Sequence, residues 1–285
     1  MKNIVIILLI FIMFSCEDII DIDPPTPSSV LVVDGNVTTE EGPYHVTLSK
    51  TGPYFDNVQT SRVRDAVVVI SDNEGRVDTL YETVPGEYYT RFVRKGKTGN
   101  TYTLEVKTEG QEYYATTEIK RVPPIDSLTV QYTDEPGTED DGYYLLYHGP
   151  ETAGVGDYYK FKITVNDTLI NRPENVQDLS SDEMVDGKYI GSFEVYDEPL
   201  HLGDKVKAEV NSITRDHYYF YTELGTQVNN GGMFANPPAN IRSNIKNRNP
   251  YSASKAIGYF GGCGISSREI IVGRGREVQG SFNGQ

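Results

Sequence analysis

Apolar and polar residues alternate with period two along most of this chain, the pattern of strands that turn one face to a core and the other to water. Tyr44, Val46 and Leu48 point one way, and His45, Thr47 and Ser49 the other. Tyr102, Leu104 and Val106 alternate with Thr101, Thr103, Glu105 and Lys107. Ala66 to Ile70 is instead a continuous apolar run, which predicts a central strand buried on both faces before Asp72-Asn73-Glu74-Gly75 turns the chain. About seven strands fit between Val30 and Arg121, the size of an immunoglobulin- or transthyretin-like sandwich. Val122-Pro123-Pro124 then marks a domain boundary.

The second half repeats the alternation. Tyr159, Phe161, Ile163 and Val165 alternate with Tyr158, Lys160, Lys162 and Thr164; Val206, Ala208 and Val210 alternate with Lys205, Lys207, Glu209 and Asn211. Asn171 to Gly187 is polar and acidic and reads as a loop. One helix is predicted near 214–229, with Thr214 as N-cap, Asp216 in the first turn and Tyr218, Tyr221, Leu224 and Val228 forming an apolar stripe. Ala256 to Phe260 returns to strand, and Ile270-Ile271-Val272 reads as a last, separate strand. The fold class is therefore mainly β, an N-terminal sandwich over 30–122 followed by a β-rich domain over 123–273 with one amphipathic helix. Residues 274–285 form a loose tail.

The N-terminus breaks the alternation. Met1-Lys2-Asn3 is weakly basic, and Ile4 to Phe14 is an unbroken apolar run. It is too short for a bilayer core, which needs about 20 residues, but suits a secretory signal over 1–15. Met13-Phe14-Ser15-Cys16 resembles a bacterial lipobox, which makes Cys16 the lipid-attachment residue. An ordinary cleaved signal with an incidental cysteine is the alternative, although no small-x-small site follows the apolar run. Residues 16–29 form a tether, with acids at Glu17, Asp18, Asp21 and Asp23 and a stiff Pro24-Pro25-Thr26-Pro27 segment. Those acids resemble the signals that send Bacteroidota lipoproteins to the exterior face.

Beyond the leader the chain carries 25 basic against 41 acidic residues. That balance argues against nucleic acid as a partner and against docking on anionic headgroups. It reads as solubility or as an acidic recognition patch. Cys263 is the one cysteine besides Cys16, so no disulfide framework exists; a buried thiol is expected there rather than a nucleophile. The 21 tyrosines and absent tryptophan fit strand packing, and tyrosine also suits recognition surfaces.

No catalytic residue, metal site or cofactor emerges from the motifs. His45, His148, His201 and His217 lack ligand spacing. His217 reads as a surface or packing residue, and His45 as a strand residue facing water. Thr138-Glu139-Asp140-Asp141-Gly142 concentrates carboxylates without the spacing of a calcium loop, so a solvated turn competes with a calcium site. Asn229 to Ser243 is a long Gly/Asn/Pro-rich loop carrying Met233 and Phe234. These two are partner-contact candidates, unless Phe234 tucks inward and pins the loop.

A resemblance runs through these segments. Val33-Asp34-Gly35-Asn36-Val37, Val46 to Ser49, Asp65 to Val68, Pro85-Gly86-Glu87-Tyr88 and Tyr102 to Val106 follow in order. Pro124 to Leu128, Tyr218 to Tyr221 with Gln227, Ser243-Asn244-Ile245 and Gly258 to Gly261 continue it. Together, from about Val30 to about Val272, they resemble the Bacteroidota lipoproteins known as domain of unknown function 4249. Asn247 to Ser254 departs from the pattern, as a longer link. The resemblance implies an outer-membrane lipoprotein often encoded beside a TonB-dependent receptor, and brings no catalytic residues. The expected function is non-enzymatic: ligand binding, or an accessory role to a TonB-dependent nutrient receptor, with the ligand undefined. A structural or adhesive surface protein is the alternative, and a glycan- or peptide-processing enzyme a more distant one.

Overall fold

The computed structural model describes residues 29–52, 60–133, 141–172, 178–231 and 239–273. The chain is mainly β. Seven strands fill the first half: β1 Leu31–Thr38, β2 His45–Lys50, β3 Val67–Asp72, β4 Val77–Val84, β5 Glu87–Thr90, β6 Thr101–Thr108 and β7 Gln111–Glu118. The second half holds β8 Ser127–Thr133, β9 Gly142–Pro150, β10 Tyr158–Val165, β11 Thr168–Ile170, β12 Leu179–Ser181, β13 Tyr189–Leu200 and β14 Lys205–Ile213. Helix α1 Arg215–Val228, β15 Lys246–Asn247 and β16 Ala256–Ile271 complete it.

Thirteen strands share one ladder, which runs β11-β10-β14-β16-β1-β2-β5-β4-β3-β6-β7-β15 with β12 beside β10; β13-β9-β8 form a second sheet. The alternating residues land as their pattern requires. Val46 and Leu48, and Tyr102, Leu104 and Val106, enter the first core; Tyr159, Phe161, Ile163, Val206, Ala208 and Val210 enter the second, between β10-β14-β16 and the three-stranded sheet. A third, small cluster of Tyr158, Ile213 and Cys263 lies against Tyr218 and Tyr221 of α1.

The long strand β16 joins the two halves. Ala256 to Cys263 pair in parallel with β1, and Gly264 to Ile271 pair antiparallel with β14. The sequence reads two strands here because Gly261-Gly262 and Gly264 interrupt the apolar pattern. Glycine is required for packing instead: a Cβ on Gly262 would press on the Glu118 carbonyl carbon at 2.9 Å, where β7 crosses.

Three other expectations change. β3 is central, between β4 and β6, but Val67 is 51% exposed while Val68 and Ile70 are buried, so only one of its faces meets the core. The helix is where its pattern places it, yet its buried residues are His217 and Gly225, and Val228 is half exposed. Its inner face therefore keeps Tyr218 and Tyr221 of the expected stripe, which pack on the small cluster, and adds His217 and Gly225 as its most buried positions. Within Asn171 to Gly187, Leu179 to Ser181 form β12 along β10.

The longer link at Asn247 to Ser254 is tied down. Asn247 Nδ2 donates to Ser254 O (2.8 Å) and Gln111 Oε1 (3.1 Å), and Ser252 Oγ donates to the same Gln111 oxygen at 2.9 Å.

Candidate functional site

Polar residues gather on the face of the large sheet that α1 covers. Register fixes their placement. On β10, Tyr158, Lys160 and Lys162 share that face, and Lys160 lies opposite Asn211 of β14. On β1, Asp34 lies opposite Tyr259, Asn36 opposite Gly261 and Thr38 opposite Cys263 of β16. Strand alternation therefore puts Asp34, Lys160, Lys162, Asn211 and Cys263 on one side.

Helix α1 is set down on them by its cap. Thr214 is extended, and its Oγ1 accepts the His217 backbone N–H at 3.3 Å. The His217 ring then stacks on Tyr259 (centroids 4.2 Å apart, 11° between planes) and on Tyr221 (4.6 Å, 22°). Gly261 makes this possible, since a Cβ there would collide with the imidazole and with Asn36 Oδ1. Lys160 Nζ lies 3.7 Å from the Tyr221 ring centroid, a close cation–π contact.

The electrostatics follow from burial and from the lysines. His217 is 2% exposed; desolvation, reinforced by Lys160 and Lys162, lowers its imidazole to about 3, so it is neutral at pH 7. Burial pushes the Cys263 thiol up to about 11, against the pull of both lysines. Lys160 is lowered by desolvation and by its neighbour Lys162. Asp34 stands at the rim; loss of solvent around its carboxyl raises its pKa, while His45 and Lys162 pull it back. Asn211, 1% exposed, has no hydrogen-bond partner for either Nδ2 or Oδ1 among the described residues, and neither has His217 Nδ1.

Over β1 and β2 a separate groove of about 290 Å³ opens, lined by Asp34, Asn36, Thr38, Glu40, Glu41 and His45 among others. His45 bonds Glu87 and stacks on Tyr89 at 4.2 Å. Glu87 also accepts from Thr47 Oγ1 (2.8 Å) and faces Arg62 at 3.0 Å; partial burial opposes ionisation, but these bonds hold its carboxyl below the usual range. His45 is thus a structured rim residue rather than a purely solvated one.

A second polar cluster joins separate loops. Glu151, Asp157 and Asp182 are all buried, with one oxygen each lying within 4.8 Å of the others. The guanidinium of Arg121 serves as their cation. It bonds Asp157 Oδ2 through Nε (2.9 Å) and Nη2 (2.7 Å), and takes the carbonyls of Ala153 (3.0 Å), Thr152 (3.1 Å) and Gly154 (2.8 Å). Asp182 accepts from the backbone of Gly156 (2.8 Å) and Asp157 (3.0 Å), and Glu151 from Tyr159 Oη (2.7 Å). Those carbonyls are the ligands a hard cation would want, and Arg121 already holds them, so the cluster reads as a clamp between loops.

Cys16, Met233, Phe234 and Asp140 lie outside the described residues. Cys263 is buried and His217 is a packing residue, as their sequence context implies. His148 bonds Thr129 Oγ1 (2.7 Å) and Ser192 N (3.2 Å), and His201 is exposed, so these two and His217 occupy different places. Sequence reasoning missed Lys160, Lys162 and Asn211, whose period-two pattern marks a solvated face. The signal lay in the helix, whose aromatic side needed a sheet face to cover. It also passed over the carboxylate clamp, whose members are 6 and 25 residues apart.

Among the described residues, no helix is long and apolar enough to cross a membrane. No curated protein matches the chain. The family model described as Domain of unknown function (DUF4249) matches residues 17–269, and the chain belongs to that family.

Proposed function

We propose that this chain is a non-enzymatic binding lipoprotein, held through Cys16 on the exterior of the outer membrane, that serves a TonB-dependent receptor as a ligand-capturing accessory subunit. The observation that carries the binding role is the nest beneath α1, where buried polar atoms of Asn211 and His217 have no hydrogen-bond partner among the described residues. An unsatisfied buried amide costs about 1–3 kcal/mol, a cost offset when a ligand completes its bonds. The chemistry favours binding over turnover. Cys263 is held as a thiol and His217 as a neutral ring, so the nest offers no activated nucleophile–base pair. The leader, the tether and the family resemblance support the anchor and the receptor setting.

Receptor co-purification from solubilised membranes tests the accessory role. A tagged full chain is expected to bring down an outer-membrane β-barrel receptor, and Cys16→Ala to release it into the soluble fraction. Recovery of the anchored chain with no receptor contradicts the accessory role and favours a structural or adhesive one.

A further inference from the structure

The acidity of the whole chain argues against contact with anionic headgroups, but that acidity is unevenly spread. Residues 126–204 carry 18 acidic and four basic residues, whereas 224–268 carry five basic residues and no acid. β16 separates the two in space. It starts at Ala256 beside Leu31 of β1, reaches Thr38 at Cys263, and runs on with β14 to Ile271. Its 16 residues span about 50 Å at roughly 3.3 Å each. The acid-rich second half stands toward the far end of that strand. At the near end lie Ser29, where the tether enters, and the link from β15 to β16. That link is held in one shape: Asn249 N donates to Asn247 Oδ1 (2.8 Å), Tyr251 N to Asn249 Oδ1 (3.1 Å) and Ser254 N to Ser252 Oγ (3.1 Å). Tyr251 stands at its tip with 95% of its surface exposed, more than any other large hydrophobic among the described residues. Lys246, Arg248 and Lys255 flank it and are exposed. Nearby acids are met by cations: Glu109 bonds Lys50, and Glu105 and Glu112 bond Arg248.

We propose that this end of the first β-half docks on the anionic headgroups of the membrane that holds the anchor, with Tyr251 entering the headgroup layer and Lys246 and Lys255 facing its phosphates. The tether ends here. Cys16 and Ser29 are 13 positions apart, at most about 45 Å of extended chain, so this is the end kept at the membrane. The charge is complementary as well, since lysines are drawn to an anionic surface within a Debye length of it. They also offset the repulsion that the tether's four acids, Glu17, Asp18, Asp21 and Asp23, bring to this end. A tyrosine, apolar along its body with a polar tip, suits the boundary between acyl chains and water. The contact would stand the body upright, with its acidic second half turned away from the bilayer. This inference rests on the proposed Cys16 anchor and goes beyond it to orientation.

The chain has no tryptophan, so Tyr251→Trp supplies a single reporter. The full chain carrying it, recovered from membranes, is reconstituted in vesicles of phosphatidylcholine with or without phosphatidylglycerol, with brominated acyl chains as quenchers. In the anionic vesicles the reporter's emission is expected to move to the blue and to be quenched at least twofold more than in the neutral ones. Leu202→Trp, 47% exposed beside the far end of β16, should stay unquenched in both. Lys246→Gln with Lys255→Gln, both at exposed positions, should abolish the lipid dependence and leave the melting temperature within a few degrees. A chain that floats with the vesicles while its 251 reporter stays unquenched, equal quenching in neutral vesicles, or quenching at 202 instead overturns the docking. Shielding at 251 that appears only when receptor is added assigns the loop to a protein partner and also overturns it. A chain that does not float overturns the anchor, and the docking with it, a failure that fatty-acid labelling of Cys16 tells apart from the others.

Discussion

His217 makes acid sensitivity a direct readout of how α1 is seated. Its imidazole titrates near 6.5 when the chain is unfolded and near 3 when it is stacked on Tyr221 and Tyr259. The folded value is depressed, so the unfolded state binds the proton first. The contribution is therefore intact above about pH 6.5 and is lost progressively as pH falls toward 3. At pH 5.0 the unfolded histidine is about 1.5 units below its midpoint while the folded one is still neutral. At 1.36 kcal/mol per unit, that costs about 2 kcal/mol relative to pH 7.5. Asp34 and Glu151, whose pKa values are raised by burial, act in the opposite sense on acidification. The comparison is therefore with His217→Phe, which keeps an aromatic ring in the stack and removes the titration. Urea unfolding followed by far-ultraviolet circular dichroism is suitable because the chain has no tryptophan. The expected result is a native chain that loses about 2 kcal/mol more than His217→Phe between pH 7.5 and 5.0. Parallel losses in the two proteins would refute a buried, neutral His217.

Four other outcomes are expected. Gly261→Val drives a side chain into His217 and Asn36 and should lower stability by about 1–3 kcal/mol in a thermal melt. Arg121→Ala leaves three buried carboxylates without their cation; with the guanidinium partly exposed, the loss is about 2 kcal/mol, and Asp157→Asn in the same chain should restore part of it. Cys263 should resist iodoacetamide at pH 7.5 in the native protein and react fully in urea, as mass spectrometry will show. Cys16→Ala should abolish labelling by a radioactive fatty acid, and persistent labelling would reject that attachment site.

Much of the fold was legible because period-two patterning states which side of a strand is wet. The seven strands of the first half and the helix after Thr214 follow from alternation and capping alone. The pattern says nothing about what a polar face meets, and the site lies in that gap. Lys160, Lys162 and Asn211 read as water-facing residues, yet a helix that starts 53 residues downstream of Lys162, with His217 on its inner side, lays Tyr221 over Lys160. Strand pairing between distant segments is equally silent in the sequence. That Gly261 would stand against Asn36 depends on β16 returning beside β1, a register set by tertiary packing. Likewise Val67 belongs to an apolar run but ends exposed, because β3 has a core on one side only.

Hydrogen exchange tests most directly whether ligand binding occurs beneath α1. With the chain in the complex recovered by receptor co-purification, amides of Tyr158–Val165, Lys205–Ile213 and the first turns of Arg215–Val228 should exchange more slowly than in the isolated chain, with the strands β3 and β4 unchanged. Protection confined to other segments, or none in the complex, would contradict a binding site in the nest.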